Sequence, residues 1–487
     1  MLAGAVASLA FPPLDLGPLA FVALVPLAIA FSRAGATPTL WTSAGFATAF
    51  MALLIPWMRL FGNLAYLALV AQQVFMIVGG LTVARGLFAG WTERYRLLLF
   101  PFAFLGVEYL RSHVPYGGFP WGGIGYTQHD FPYLLKVASL AGVWGVCLLV
   151  VAVNAAIAEI VMSLRPPNPR GLVAVALGTG LVAAPLLIPV TEPDGESLRI
   201  AMVQGNTSES VADPHIDDEQ VLLNHAQLTQ SLRRGSADLV VWPESSLGRD
   251  PYGFPEFLDL VTQVVKEQGA PFLIGATVEM PESEEFLNTT LFIGSDGKLI
   301  DRYEKVRLVP FGEYVLFREW LEPWVDELRR VPFDGVPGTE HTVFEIPQGK
   351  IGSVICFEST FPGFVSRFIE KGAQILVVST NDSSFERSSA SEQHLAFSQL
   401  RAAEHRIWVT HVALTGISGV IAPDGTVQER TKLFEPALLQ PEVKMATSMT
   451  LYGKLGDWLP FVSLGLIPVL GLAGWTSSRK GRKKQSA

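Results

Sequence analysis

The stretch KIGSVICFESTFPGFVSRFIEKGAQILVVST (residues 350–380) predicts a strand, a helix and a second strand in succession. Its two ends, KIGSVIC (350–356) and QILVVST (374–380), are apolar and rich in β-branched residues, whereas residues 361–371 have a helical pattern. Continuous apolar strands that alternate with helices are typical of buried sheets. The stretch therefore predicts an α/β fold with Cys356 at the carboxyl end of the first strand.

The same alternation extends in both directions along the chain. Further strands are predicted at residues 198–204, 238–242, 271–277, 288–294 and 408–414, and further helices at 217–234, near 255–268 and near 391–405. Ligands of open α/β sheets gather at the carboxyl ends of the strands. We therefore expect the functional groups to follow these strands.

Composition separates this α/β region from the rest of the chain. Of the 487 residues, 49% are hydrophobic and 17% charged, and residues 1–90 carry only Asp15, Arg33, Arg59 and Arg85 as formal charges. Residues 193–455 carry charges throughout, so the two regions face different solvents. The net charge of −9 argues against a nucleic-acid partner. We predict four parts: a transmembrane bundle (1–192), a catalytic domain (193–455), a final transmembrane helix (456–478) and a basic tail (479–487).

The apolar segments predict about eight membrane spans. A spanning helix needs about 20 mostly apolar residues, and segments of that kind lie near 15–32, 38–58, 64–85, 97–112, 137–163, 171–191 and 457–476. Residues 1–12 are apolar but too short to cross, and they lack the features of a signal peptide. We expect them to be a short or truncated first span, which gives about seven spans before the catalytic domain.

The distribution of Lys and Arg predicts the orientation of these spans. If the chain crosses eight times, one side of the membrane receives most of the basic residues: Arg33, Arg85, Arg94, Arg96, Arg165, Arg170, Arg479, Lys480, Arg482, Lys483 and Lys484. The side with the excess is cytoplasmic. The catalytic domain is therefore expected on the extracytoplasmic side and the basic tail in the cytoplasm.

Three residues at strand ends are candidates for chemistry. Glu244 in VVWPESS, Lys305 in YEKVRLVPFGEY and Cys356 in GSVICFES each have a plain alternative: a solvated glutamate, a surface lysine and a buried structural thiol. Cys147 lies in the apolar run VWGVCLLVVAV and is predicted to be such a thiol, and two cysteines form no disulfide framework.

Taken together, the three candidates form one reaction centre. A thiol attacks as the thiolate, which a carboxylate can generate by accepting its proton. A lysine ammonium stabilises the thiolate and the oxyanion of acyl transfer. No histidine lies in an obvious triad context, and we expect neither a metal nor a cofactor.

The order VVWPESS, YEKVRLVPFGEY, GSVICFES resembles the Glu-Lys-Cys signature of the nitrilase, or carbon-nitrogen hydrolase, superfamily. With the apolar spans and the phrase LAFPPLDLGPLAFVALVPL (9–27), the chain is similar specifically to the apolipoprotein N-acyltransferase family. The resemblance implies an αββα sandwich for residues 193–455. It assigns Glu244 as general base, Lys305 as oxyanion stabiliser and Cys356 as nucleophile. It also places Glu313 in the catalytic set, in support of the triad. It implies substrate-binding positions at Phe357, whose backbone N–H would complete the oxyanion hole, and at Glu358, which would help to order the site.

The same resemblance implies the reaction and the partners. A membrane phospholipid would acylate Cys356 as a thioester, and the α-amino group of a diacylglyceryl-cysteine at an apolipoprotein's N-terminus would accept the acyl chain. The enzyme is expected to be a monomer in the bacterial cytoplasmic membrane. The chain departs from the family pattern in VQGNTSESVADPHID (203–217), which lacks the usual tryptophan. It departs again in STNDSSFERSS (379–389), where Ser384 and Glu386 replace Trp and Gly.

Two other functions use the same observations. A membrane-anchored amidase or nitrile hydrolase would use the same three residues with water as the acceptor, but one anchor would be enough for it. A transporter with an accessory domain would have repeated halves with broken helices, and we see no internal repeat.

Overall fold

The structure, a computed structural model, describes residues 1–33, 35–164, 168–207, 214–280, 283 and 285–485. It describes only the backbone of residues 214–217, 326, 330 and 477–485. Arg165 and the central part (208–213) of the first altered stretch, both used in predictions above, lie outside the described residues, as do residues 486–487 of the basic tail. The chain forms two compact units, residues 1–190 with 455–487, and residues 191–454.

The first unit is helical. Its helices are α1 (Leu2–Ser8), α2 (Ala20–Ala23), α3 (Val25–Ser32), α4 (Thr37–Leu54), α5 (Asn63–Leu87), α6 (Glu93–Arg111), α7 (Pro132–Leu135), α8 (Ala138–Ser163), α9 (Arg170–Ala183) and α16 (Trp458–Gln485). In the described part of the chain, four segments are long and apolar enough to cross a membrane: Asn63–Gly90, Ala138–Ser163, Arg170–Leu187 and Trp458–Thr476. Gly17–Ser32 is apolar but shorter. The predicted segments all contain helix, but the total of about eight spans stays a prediction.

Helix α6 shows why hydropathy alone does not identify every helix of this unit. Its carboxyl end buries an ion pair in which Arg111 Nε donates to Glu108 Oε1 at 2.8 Å, and both side chains are almost fully enclosed. Arg111 also donates to the carbonyl of Trp121 at 2.8 Å, and the backbone N–H of Ile124 donates to Glu108. Because the two charges satisfy each other and the following loop, the helix keeps them inside at little electrostatic cost.

The second unit is built on two sheets. The first has the order β13 (Ala437–Leu439), β1 (Ser197–Gln204), β2 (Leu239–Leu247), β3 (Phe272–Met280), β4 (Glu285–Ile293) and β5 (Leu299–Glu304), with β14 (Glu442–Lys444) on β1 and β6 (Asp334–Gly335) on β4. The second has the order β12 (Val427–Arg430), β11 (Gly419–Ile421), β10 (Val409–Ala413), β9 (Ile375–Thr380), β8 (Gly349–Ile355) and β7 (Val343–Ile346). Strands β1, β2 and β3 run parallel, as do β8, β9 and β10.

The longer helices of this unit cover the outer faces of the two sheets: α10 (Pro214–Gln230), α11 (Pro255–Gln268), α13 (Pro362–Glu370) and α14 (Ala390–His405). The helices α12 (Arg318–Leu321) and α15 (Leu451–Leu455) are short. Strand β2 contacts β9 and β10 of the other sheet, α10 packs on β1 and β2, and α13 and α14 pack on β8 and β10. This layering is an αββα sandwich, and the predicted α/β alternation is confirmed.

Helix α11 illustrates how the sequence specifies these elements. Pro255 at its first turn has the φ angle that a helix start requires, and Gly269 ends it in the left-handed conformation at φ +71°. Val261, Val264 and Val265 recur at helical spacing and are fully buried against the first sheet. The side of the helix opposite these valines carries the charged residues, so only the valine side of the helix can pack on the sheet.

Candidate active site

Cys356 lies in a strained turn at the end of β8. The strand ends at Ile355, Cys356 has φ +52°, and a short 3-10 helix follows over Cys356–Thr360. A side chain in this left-handed region costs about 1–2 kcal/mol, so surrounding contacts must hold it there. The cysteine is half-buried, and a side-chain hydrogen bond joins it to Thr380 at the end of β9. Cys356 thus lies at the carboxyl end of its strand, as the sequence predicts.

Glu244 enters the same region through an irregularity in β2. Pro243 has no N–H for the β2–β3 ladder, and the register between these strands shifts between Trp242 and Leu247. The backbone of Gly275 on β3 lies against this irregularity: a Cβ there would meet the Pro243 carbonyl oxygen at 2.3 Å. A residue without a side chain at 275 therefore permits the turn that carries Glu244.

Lys305 joins two carboxylates in a buried cluster. Its Nζ donates to Glu244 Oε1 at 3.1 Å and to Glu313 Oε1 at 2.8 Å. The lysine side chain is 1% exposed, that of Glu244 6% and that of Glu313 14%. The structure thus brings together three of the predicted site residues. Because Glu244 and Lys305 are buried, the alternatives of a solvated glutamate and a surface lysine do not apply.

Neutral donors orient the two carboxylates. Asn288 Nδ2 donates to Glu244 Oε1 at 2.7 Å and to Glu313 Oε1 at 2.8 Å. The backbone N–H of Asn381 donates to Glu244 Oε2 at 2.9 Å, and that of Val309 to Glu313 Oε2 at 2.7 Å. Each carboxylate is therefore held at both oxygens. Such fixed geometry is what a base needs if it is to accept a proton without reorganising.

Electrostatics connect this cluster to Cys356. Burial and the negative charge of Glu244 raise the pKa of the Cys356 thiol well above its usual range, while Lys305 lowers it. Burial alone would lower the pKa of Lys305, but Glu244 and Glu313 outweigh it and raise that pKa well above its usual value. The surroundings therefore favour the protonated thiol of Cys356 and the protonated amine of Lys305. A reaction that begins by moving the thiol proton to the Glu244 carboxylate suits this arrangement.

The residues after the cysteine lie deep in the fold. Phe357 is 8% exposed and packs edge-to-face on Phe361 at 5.0 Å. Glu358 is fully buried, and its carboxylate accepts from the Tyr303 hydroxyl at 2.7 Å and from the Ile355 N–H at 2.8 Å. It also accepts from the N–H groups of Val306 and Arg307. Glu358 thus ties the loop after Lys305 to the strand before Cys356. The roles of Phe357 and Glu358 toward a substrate stay predictions.

The ionisation of Glu358 gives the fold a pH dependence. Burial raises the pKa of Glu358 from about 4.5 to about 7, although hydrogen bonds from Ile355, Arg307 and Tyr303 oppose the rise. The folded chain then binds this proton more tightly than the unfolded chain. The resulting stabilisation is fully present below about pH 4.5 and is lost as the pH rises to about 7.

We expect the thermal midpoint of the wild-type protein to fall more steeply than that of Glu358→Gln between these two pH values. Thermal unfolding in detergent at a series of pH values measures both slopes, and the difference removes the contribution of every other titrating group. Equal slopes would contradict the assignment.

Sequence reasoning missed several residues of the site. Asn288 on β4 holds both glutamates, and Asp382 and His394 lie beside the cysteine. One side-chain atom each of Cys356, Asp382 and His394 lie within 4.8 Å of one another, a set of types that can bind a soft metal ion. The sequence signal for these residues was weak. Asn288 and His394 are single polar residues in an ordinary strand and helix, and Asp382 lies among the other polar residues of a loop.

The second altered stretch keeps an unusual backbone. Glu386, which stands where the resemblance leads us to expect glycine, has φ +48° and ψ −144°. This is a conformation that glycine adopts readily and that other residues adopt at a cost. Residues Ser383–Phe385 form a 3-10 turn directly before it. The chain therefore places a residue with a side chain at a position whose backbone favours glycine.

Comparison with known proteins identifies the family. Residues 199–451 match the carbon-nitrogen hydrolase family, and residues 3–156 match the apolipoprotein N-acyltransferase N-terminal domain. The apolipoprotein N-acyltransferase of Geobacter metallireducens is 30% identical over 481 residues, covering 94% of this chain and 91% of that protein. That of Chlorobaculum tepidum is 28% identical over 512 residues, covering 96% and 94%.

The comparison with solved structures finds partial similarity. A branch 10 nitrilase-superfamily protein from Saccharomyces cerevisiae has a TM-score of 0.39 and 16% identity, covering 53% of this chain and 93% of its own. A carbon-nitrogen hydrolase superfamily protein from Xanthomonas campestris has a TM-score of 0.39 and 19% identity, covering 51% and 91%. The matches over nearly the whole length of the chain, by contrast, are with acyltransferases. The predicted resemblance is confirmed: the chain belongs to the apolipoprotein N-acyltransferase family, and residues 199–451 are its carbon-nitrogen hydrolase domain.

Proposed function

We propose that this chain is an acyltransferase that moves an acyl chain from a membrane phospholipid, through a thioester on Cys356, to the α-amino group of a diacylglyceryl-cysteine at an apolipoprotein's N-terminus. The observation that carries the proposal is the buried ammonium of Lys305, held between Glu244 and Glu313 in electrostatic reach of a strained cysteine. The names of the relatives supply the reaction class.

In the first half-reaction Cys356 Sγ attacks the ester carbonyl carbon of the phospholipid. Glu244 accepts the thiol proton as the C–S bond forms, and the oxyanion that develops is stabilised by Lys305 Nζ and the backbone N–H of Phe357. When this intermediate collapses, the ester C–O bond breaks. Glu244 returns the proton to the departing alkoxide, which leaves as a lysophospholipid, and the acyl chain remains on sulfur.

In the second half-reaction the neutral amine of the apolipoprotein attacks the thioester carbonyl carbon. Glu244 accepts the proton that the nitrogen loses, and the same two donors stabilise the second oxyanion. The C–S bond then breaks and the thiolate recovers its proton from Glu244. Glu313 keeps Lys305 in place through both steps, and Glu358 keeps the turn beside it ordered. One site acts twice, so ping-pong kinetics are expected.

A mass measurement separates this function from the membrane-anchored amidohydrolase that uses the same residues. Purified protein in detergent is incubated with a phospholipid of defined acyl chains, digested and analysed. We expect the Cys356 peptide to gain the mass of one acyl chain and to lose it when a diacylglyceryl-cysteine peptide is added, with the chain transferred to the peptide amine. Release of free fatty acid alone, or hydrolysis of small amides without any adduct, would overturn the proposal.

We further propose that the first unit, which includes α16, holds the catalytic domain on the extracytoplasmic face of a bacterial cytoplasmic membrane through about eight spans. Two observations support this arrangement. In the described part of the chain, four helices are apolar enough to cross a membrane. With eight crossings, Arg33, Arg85, Arg94 and Arg96 lie on one side of the membrane, and the side with more basic residues is cytoplasmic. Both proposed substrates carry acyl chains in the bilayer, so a membrane-held enzyme meets them in two dimensions. A monomeric enzyme is part of the same proposal.

The topology predicts the behaviour of two reporter fusions. Alkaline phosphatase, which is active only outside the cytoplasm, is fused after residue 455 or after residue 487. We expect activity from the first fusion and silence from the second, because an odd number of crossings precedes residue 455 and one more follows it. A cytoplasmic reporter such as green fluorescent protein should give the reverse result. The same reporter signal at both positions would contradict the crossing by α16.

A further inference from the structure

A buried histidine lies directly behind the turn that carries Cys356, and the mechanism above does not use it. His394 on α14 is fully buried, and its neighbour Asp382 follows β9 and has a fully enclosed side chain. Burying two ionisable side chains costs free energy unless they satisfy each other. Their placement beside the reactive sulfur therefore calls for a physical explanation.

The contacts of this pair form a chain that ends on the cysteine backbone. Thr380 Oγ1 donates to Asp382 Oδ1 at 2.7 Å, and His394 Nδ1 donates to the same oxygen at 3.0 Å. At the other edge of the ring, Nε2 lies 3.2 Å from the carbonyl oxygen of Cys356 and 3.0 Å from Ser359 Oγ. Ser359 Oγ donates to that carbonyl at 2.8 Å. The imidazole of His394 thus contacts the Asp382 carboxylate on one side and the turn at Cys356 on the other.

The turn needs such support. The left-handed conformation of Cys356 is unfavourable for a residue with a side chain and persists only where neighbours over-determine it. Its carbonyl oxygen is fixed by Ser359 and faces His394, while Arg401 Nη1 donates to the carbonyl of Ser359 at 3.3 Å. Helix α14 therefore contacts the turn at several points.

We propose that Asp382, His394 and Ser359 are positioning residues that hold Cys356 in its left-handed turn and so keep its thiol aligned with Glu244 and Lys305. The inference rests on the proposed role of Cys356 as the nucleophile. Asp382 fixes the orientation of the ring, the ring packs against the Ser359 hydroxyl and the Cys356 carbonyl, and the Ser359 hydroxyl donates to that carbonyl. A displacement of about 1 Å at a nucleophile can slow a reaction about 100-fold, so a positioning role has a measurable size.

Several charged or titratable groups face the cysteine and are unchanged in the test. They are Glu244 on β2, Lys305 after β5, Asp382 after β9 and, next to His394 at 5.0 Å between ring centroids, His411 on β10. Because His394 itself lowers the pKa values of Asp382 and His411, the variants are compared over a range of pH. A loss of rate that persists at every pH then reports on position.

The test uses the full-length protein in detergent with Cys147 replaced by alanine, so that Cys356 is the only thiol. We expect His394→Ala to slow acylation of Cys356 by phospholipid about 100-fold with an unchanged KM for the donor. His394→Gln, whose amide fills part of the space of the ring and can donate to the carbonyl, should recover about tenfold of that loss. Ser359→Ala, which leaves the imidazole in place, should slow acylation about tenfold and serves if His394→Ala does not fold.

His405→Ala is the matched control, because His405 is equally buried on the same helix but bonds Ser366 rather than the turn. It should acylate close to the wild-type rate. Acylation of His394→Ala at the wild-type rate, or an equal loss in His405→Ala, would overturn the positioning role. Iodoacetamide alkylation of Cys356 needs no phospholipid and should also slow in His394→Ala. A wild-type protein that gains no acyl group would therefore refute the proposed function while alkylation still tests the positioning.

Discussion

Replacement of Cys356 by serine is expected to reduce acyl transfer by at least about 10⁴-fold, as losses of a nucleophile do in other covalent enzymes. A serine hydroxyl ionises far less readily than a thiol, and the neighbouring carboxylate of Glu244 disfavours a second negative charge still further. The variant should bind phospholipid and gain no acyl mass. Quantitative mass spectrometry of the peptide that contains residue 356 measures this result.

Cys147 provides the matched control for this experiment. It is the other cysteine of the chain, and it is buried in α8 of the first unit. Cys147→Ala should acylate and turn over at rates close to the wild type, because its thiol contacts the backbone of Gly125 within the first unit and not the catalytic cluster. An acyl adduct on the Cys147 peptide, or turnover that survives in Cys356→Ser, would contradict the assignment of the nucleophile.

Periodicity predicted the interior of the α/β fold better than its edges. Strands β8 and β9 end within one residue of the predicted positions, because both are buried on two faces and read as unbroken apolar runs. The β3–β4 hairpin extends further than predicted, to Met280 and from Glu285. Its outer part is only half-buried, so polar residues replace the apolar signal there while backbone pairing continues.

The sequence indicated the candidate groups and not what holds them. Glu244, Lys305 and Cys356 could be proposed together because a thiol nucleophile needs a base and a cation, and each residue follows its own strand. Asn288 and His394 were not predictable, because their importance depends on which side chains the two sheets and α14 bring against them. A lone asparagine in a strand or a histidine in a helix has no partner that can be recognised from spacing.

Lys305→Met is expected to have the second large effect, on both activity and stability. Methionine matches the length of lysine but leaves Glu244 and Glu313 without the ammonium that they share at 3.1 and 2.8 Å. Removing one partner of a buried ion pair costs about 3–5 kcal/mol, and removing one oxyanion donor slows the reaction about 10²–10³-fold. Thermal unfolding and the rate of acyl-enzyme formation measure the two losses separately. Lys298→Met, at an exposed turn, should change neither.

A double variant decides what Lys305 contributes to each quantity. Glu313→Gln in the Lys305→Met background removes one of the two uncompensated charges, so part of the lost stability should return. The rate should not return, because no cation then faces the oxyanion. Recovery of the rate along with stability would mean that the lysine only neutralises Glu313, and oxyanion stabilisation would have to come from backbone donors such as the Phe357 N–H. Recovery of stability alone would separate the ammonium's structural role from its chemical one.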